Sequence, residues 1–125
     1  MSSLTELSTA GLRDAGDAVE TVIEFRDYLP ADGMLLMLAG RWRDDIRELL
    51  GMPPLGPVKR GPKIKAIEGI TDSDLDRLFE AALMLNGRFT GYMDDPELVR
   101  RLSDVLAQVG SARVARVIPE EAKAS

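Results

Sequence analysis

Chemistry in this chain has to be done with carboxylates, guanidiniums, ammoniums and hydroxyls, because its 125 residues include no cysteine and no histidine. Thiol catalysis, disulfides, zinc knuckles and a Ser–His–Asp triad are excluded at once. The densest acidic run, Asp72-Ser73-Asp74-Leu75-Asp76, opens like a calcium-binding loop. Such a loop needs glycine at its sixth position and a bidentate acid at its twelfth. Those positions are Arg77 and Leu83, so the pattern fails, and helix capping accounts for the aspartates instead. Asp44-Asp45 reads as a solvated helix face and Asp94-Asp95 as an N-cap. Carboxylates of different helices could still converge on a magnesium ion, which takes one or two acids plus water, in an enzyme that uses the metal, but nothing in the spacing shows that they do. The expectation is a protein with no catalytic residue, no metal and no cofactor.

The basic residues are more unevenly spread than the acids. The net charge is −5 overall, which disfavours general binding to a phosphate backbone. Residues 51–65, however, carry Lys59, Arg60, Lys63 and Lys65 and no acid. This island could touch phosphates, but four charges make a modest footprint and no aromatic lies within it to stack on a base. No Walker-type glycine loop is present. An acidic surface is the better match, within the chain or between subunits, and Glu20, Glu24 and Asp27 offer one. The neighbouring Pro54-Leu55-Gly56-Pro57-Val58-Lys59 fits a Pro-x-x-Pro-x-Lys ligand pattern, but so short a pattern arises often by chance, and Gly56 loosens it.

Two further groups could meet a partner. Arg88-Phe89-Thr90-Gly91-Tyr92-Met93 collects residue types enriched in interface cores; Phe89, Tyr92 and Met93 either dock a partner or fold back to close the end of a helix pair. Leu36 and Met37, with Met34 and Met52, give the second helix an apolar side beyond its main stripe. A helix apolar on more than one face is central in its bundle or covered by another subunit.

The elements that position these residues are helical nearly throughout. Leu12, Ala15, Val19, Val22 and Ile23 follow one helix face, starting at Ser8 or Thr9, or earlier through the capping-box spacing of Ser3 and Glu6, and ending at Pro30. Leu35, Leu38, Trp42, Ile46 and Leu49 form a second stripe closed by Gly51, with Arg41–Asp45 and Asp44–Arg47 pairs expected on its polar side. Pro53, Pro54, Pro57 and Pro62 with Gly51, Gly56 and Gly61 then rule out helix or central strand. That stretch is an extended arm or an ordered connection laid over the core. A third helix starts at Thr71-Asp72-Ser73 and stops at Asn86-Gly87; a fourth runs from Asp95-Pro96-Glu97 to Gly110. The nine-residue gap from Gly87 to Asp95 is too long for a helix-turn-helix reader. Residues 111–118 fit either a strand or another helix, and the tail after Pro119 is expected to fray.

The sequence therefore describes one all-α domain: four amphipathic helices, or five, in two pairs (8–50 and 71–110) joined by a Pro/Gly-rich basic connection at 51–65. The function expected is a non-catalytic interaction or assembly module that self-associates as a homo-oligomer or acts as an adaptor for another protein. A nucleic-acid-associated regulator using residues 59–65 is the alternative. The candidate partner-binding residues are Leu36, Met37, Lys59, Arg60, Lys63, Lys65, Phe89, Tyr92 and Met93. No apolar run approaches the ~20 residues of a membrane span and the N-terminus lacks a secretory pattern, so a cytoplasmic protein is expected. The composition is compatible with a bacterial or phage accessory protein.

Overall fold

The computed structural model describes residues 3–29, 33–61 and 63–117. It contains four α-helices, α1 (Thr9–Glu24), α2 (Gly33–Leu49), α3 (Asp72–Gly87) and α4 (Pro96–Val117), and no strand among the described residues. The principal seams run α1–α2, α1–α3, α3–α4 and, more thinly, α2–α4. α3 therefore packs between α1 and α4, and α2 closes the ring. Inside it Val19, Val22, Ile46, Leu78, Leu85 and Val109 are fully buried. None of the described helices is long and apolar enough to cross a membrane.

α1, α3 and α4 each begin where a side chain takes up an orphan backbone amide. Of the starts expected for the first helix, Ser8 is the one used, and the earlier Ser3–Glu6 spacing belongs to a separate turn. Ser3 and Glu6 make a reciprocal capping box on a short turn at Leu4–Glu6, and Ser8 then caps α1 by accepting from the Gly11 amide. Thr71 caps α3, and Asp95 accepts the Glu97 amide at the start of α4. α2 ends in a Schellman motif: the Met52 amide donates to the Arg47 carbonyl, the Gly51 amide to that of Glu48, and Gly51 takes the positive φ of 74° that the motif requires.

Two boundaries differ from the sequence reading. The first helix stops at Glu24, well before Pro30, which lies outside the described residues. Arg26 turns back to donate to the Ile23 carbonyl, and a tight turn at Arg26–Tyr28 lets both Phe25 and Leu29 enter the core. α4, by contrast, runs through Gly110 to Val117. A mid-helix glycine costs about 1 kcal/mol relative to alanine, and here the contacts beyond it hold the helix. Arg113 stacks over the Phe79 ring at 4.4 Å and pairs with Asp76 at 2.9 Å. Arg116 pairs with Asp72 at 2.7 Å and donates to the carbonyls of Ile67, Glu68 and Ile70. Residues 111–117 are thus helix, and two of the capping-run aspartates also tie α3 to α4. The tail after Pro119 is outside the described residues.

The loop between α3 and α4 folds inward. Phe89 is completely buried and Met93 nearly so, and the Trp42 indole donates to the Tyr92 carbonyl at 3.2 Å. Phe89 and Met93 are core residues that close one end of the bundle rather than docking residues; Tyr92 stays half-buried.

Candidate interaction surface on an ordered strap

Residues 51–61 and 63–65 form a strap that runs back along α2, antiparallel to it, and ends on the turn at Arg26–Tyr28. Its course is set by groups one or two helical turns apart. Arg47 donates to the Pro53 carbonyl at 2.7 Å, and Arg43 donates to the Gly56 carbonyl at 2.6 Å. The Asp44 carboxylate accepts the amides of Leu55 and Gly56, each at 3.1 Å. Further along, Val58 presses on Gly40, where a Cβ would come within 2.8 Å of Val58 Cγ2. Arg26 then donates to the Lys59 carbonyl, and Asp27 accepts the Gly61 amide with its carboxylate and the Lys65 amide with its carbonyl. Gly61 has no room for a side chain, since a Cβ would sit 2.4 Å from Asp27 Oδ2.

The strap needs these partners because an irregular segment has no ladder of its own to satisfy its backbone. They also account for the side of α2 that the apolar stripe leaves over. Leu36, Gly40, Arg43 and Arg47 are spaced four, three and four residues apart, one line along a helix. Arg43, only 5% exposed, is the one buried charged residue among those described. It is tolerated there because its Nε meets Asp44 at 3.1 Å while Nη2 bonds to the strap. For Asp44, burial pushes the carboxyl pKa up, but the Leu55 amide, the Arg43 guanidinium and the Gly56 amide outweigh it. The carboxyl is held below its ordinary value.

The intrahelical Asp44–Arg47 pair expected from spacing is thus replaced: Asp44 serves the strap, and Arg47 faces Glu20 of α1 at 3.7 Å. Leu36 is corrected as well. It is 4% exposed, so it offers nothing to a partner of this folded chain. Met37 stays accessible, beside a groove of about 300 Å³ shared with Gly40, Pro57 and Val58.

The strap presents its cations outward. Lys59, Lys63 and Lys65 are exposed and Arg60 half-buried. The Lys65 ammonium lies 5.3 Å from the centre of the Tyr28 ring. None of the three lysines pairs with a carboxylate among the described residues. The acidic surface of the same chain is met by strap backbone, at Asp27, and not by lysine side chains. Ile64, between Lys63 and Lys65, is 62% exposed, and Leu55, nearer the start of the strap, is 57% exposed.

A second charged surface lies between α1 and α3, a groove of about 280 Å³ that includes Asp14, Asp17, Arg77 and Glu80. Asp14 pairs with Arg88 and Arg77 with Glu24 and Asp74, whereas Asp17 and Glu80 have no ion-pair partner among the described residues. No group of three or more carboxylates among the described residues is placed to share a metal ion.

Sequence reasoning missed Arg43 and its cleft. The available signal was an arginine in the second line of α2 positions, opposite residues too rich in proline and glycine to be helical. Compared with protein-family models, with curated proteins and with solved structures, the chain matches none.

Proposed function

We propose that the chain is a non-catalytic contact module that associates with a second copy of itself, the strap of one copy meeting the acidic α1–α3 face of the other. The observation that carries this reading is the set of exposed strap lysines that have no carboxylate partner among the described residues, on a backbone already fixed by Asp44, Arg43 and Asp27. A segment ordered before binding loses less entropy on association than a flexible arm. Asp17 and Glu80, which have no ion-pair partner among the described residues, supply charge of the opposite sign on a different face, so two copies are complementary to one another. Ile64 and Leu55 provide apolar area on the same strap. An overall charge of −5 argues against a phosphate backbone as the partner.

Light scattering behind size exclusion, with absorbance at two wavelengths, tests the proposal. A discrete multiple of 13.7 kDa is expected at about 50 mM salt, shrinking toward the monomer at about 500 mM, where exposed charges are screened. Lys59→Glu with Lys63→Glu should give a monomer, and mixing that variant with Asp17→Lys/Glu80→Lys should restore the complex. A monomer under every condition overturns the proposal. A monomer that carries nucleic acid, stripped by salt, replaces it with the regulator reading.

A further inference from the structure

A further cleft lies away from the strap lysines. It opens between the first half of α1 and the C-terminal end of α2, with a volume of about 510 Å³. Three guanidiniums line it, Arg13 from α1 and Arg43 and Arg47 from α2. Arg43 is the informative one. Nε is taken by Asp44 and Nη2 by the Gly56 carbonyl, while Nη1 has no partner among the described residues. A guanidinium this buried, its side chain 7% exposed, with donor capacity unspent beside a cavity is a positioned anion donor. Arg47 is similarly half-spent: Nε bonds to Pro53, Nη1 is 3.7 Å from Glu20, and Nη2 has no partner among the described residues. At 3.7 Å the contact to Glu20 is longer than a charge-assisted hydrogen bond, so Glu20 is a competitor that a better acceptor displaces.

One side of the remaining wall is apolar. Leu49, Leu50 and Met52 stand at the C-terminal end of α2, and Leu49 and Met52 are more than 40% exposed. Gly16 across from them leaves the floor open down to Ile46, which a Cβ at that position would meet at 3.4 Å. The Schellman turn fixes Leu50 to Met52 in place, and the strap fixes Arg43 and Arg47. Asp17 also lines the cleft and, with Glu20, keeps it from being a general anion sink. A ligand must bring an apolar body as well as charge.

We infer that this cleft binds a small amphiphilic oxyanion, a carboxylate or phosphomonoester on a short aliphatic chain, its head on Arg43 and Arg47 and its tail on Leu49, Leu50 and Met52. The site is separate from the strap lysines but shares Asp17 with the acidic α1–α3 face.

Titration of the ¹⁵N-labelled protein with hexyl phosphate, hexanoate, inorganic phosphate and hexylammonium, followed by NMR, tests the assignment. Hexyl phosphate or hexanoate should shift the Arg43 and Arg47 Nε–H signals and the Leu50 and Met52 amides saturably. Binding should be about tenfold or more tighter than for inorganic phosphate, because the tail is buried. Saturation by one of the two and not the other identifies the head group. Hexylammonium should leave these signals unmoved. Glu20→Gln, which removes the competing acid, should tighten binding about threefold, and Leu49→Glu, at an exposed position, should weaken it about tenfold. The inference is overturned if neither alkyl oxyanion saturates, if the shifts fall on Lys59 and Lys63 instead, or if Glu20→Gln leaves affinity unchanged.

Discussion

The two halves of this molecule are held by different forces. Around α3 and α4 the interior is apolar, with Leu75, Leu78, Leu85, Phe89, Leu98 and Leu102 all less than 2% exposed, and the ion pairs of Arg113 and Arg116 sit at the rim. Around α2 and the strap, a buried arginine, a carboxylate and a set of backbone amides do the joining. Apolar burial is non-directional and scales with area. Hydrogen bonds to charged groups are directional, and leaving one partner unsatisfied costs more than the bond contributes. Regular helices can therefore rest on the first kind of force, whereas a segment with four prolines has to be placed by the second. The polar side fixes an irregular surface that carries exposed lysines, and the apolar side provides the frame.

The contrast breaks most completely at Phe89. Phe89→Ala should cost about 3–5 kcal/mol, lowering the denaturation midpoint of every helix together, because the core is shared by α3, α4 and α2; loss confined to the strap would contradict this. Asp44→Asn should separate the halves. It leaves one of two strap amides without an acceptor and Arg43 without its counter-ion, a penalty of about 1–3 kcal/mol, and it should expose residues 52–58 to proteolysis while helical circular dichroism is kept. Acid should do the same to the wild type. The Asp44 carboxyl is held below its ordinary value in the fold, so its contribution is complete above the unfolded-state pKa and is lost as pH falls through the lower folded value. Protection of the strap amides, measured against the intrinsic rate at each pH, should therefore fall at low pH in the wild type and show a weaker acid step in Asp44→Asn. The smallest effect belongs to the other half: Gly110→Ala should stabilise by about 0.5–1 kcal/mol, since the new methyl meets Phe79 at an ordinary 3.6 Å. Equilibrium urea unfolding gives the sign.

How much of this was visible in the sequence follows the same division. The 3.6-residue rhythm and the caps at Ser8, Thr71 and Asp95 located all four helices, because those signals are local. Gly110 misled, since the contacts that carry α4 past it come from Phe79, Asp72 and Asp76, more than thirty residues away. The extra apolar side of α2 was visible, but its cover was not: Leu36 is buried within the folded chain, whereas Met37 remains exposed. For Phe89 and Met93 the composition of an interface core and that of a closing loop are the same, and only packing tells them apart. The lysines of the island were legible as charge, while the backbone contacts to Asp27 that place them were not, because any residue's amide can make them.

The measurement that reaches the central claim most directly is hydrogen exchange of the strap amides that have fixed acceptors, Leu55, Gly56, Gly61 and Lys65. The account predicts protection at all four, lost at Leu55 and Gly56 in Asp44→Ala, which removes both acceptors, while the amides of α3 keep theirs. Exchange of all four at the rate of an unstructured peptide in the wild type would contradict it, and residues 51–65 would then be an arm and not a strap.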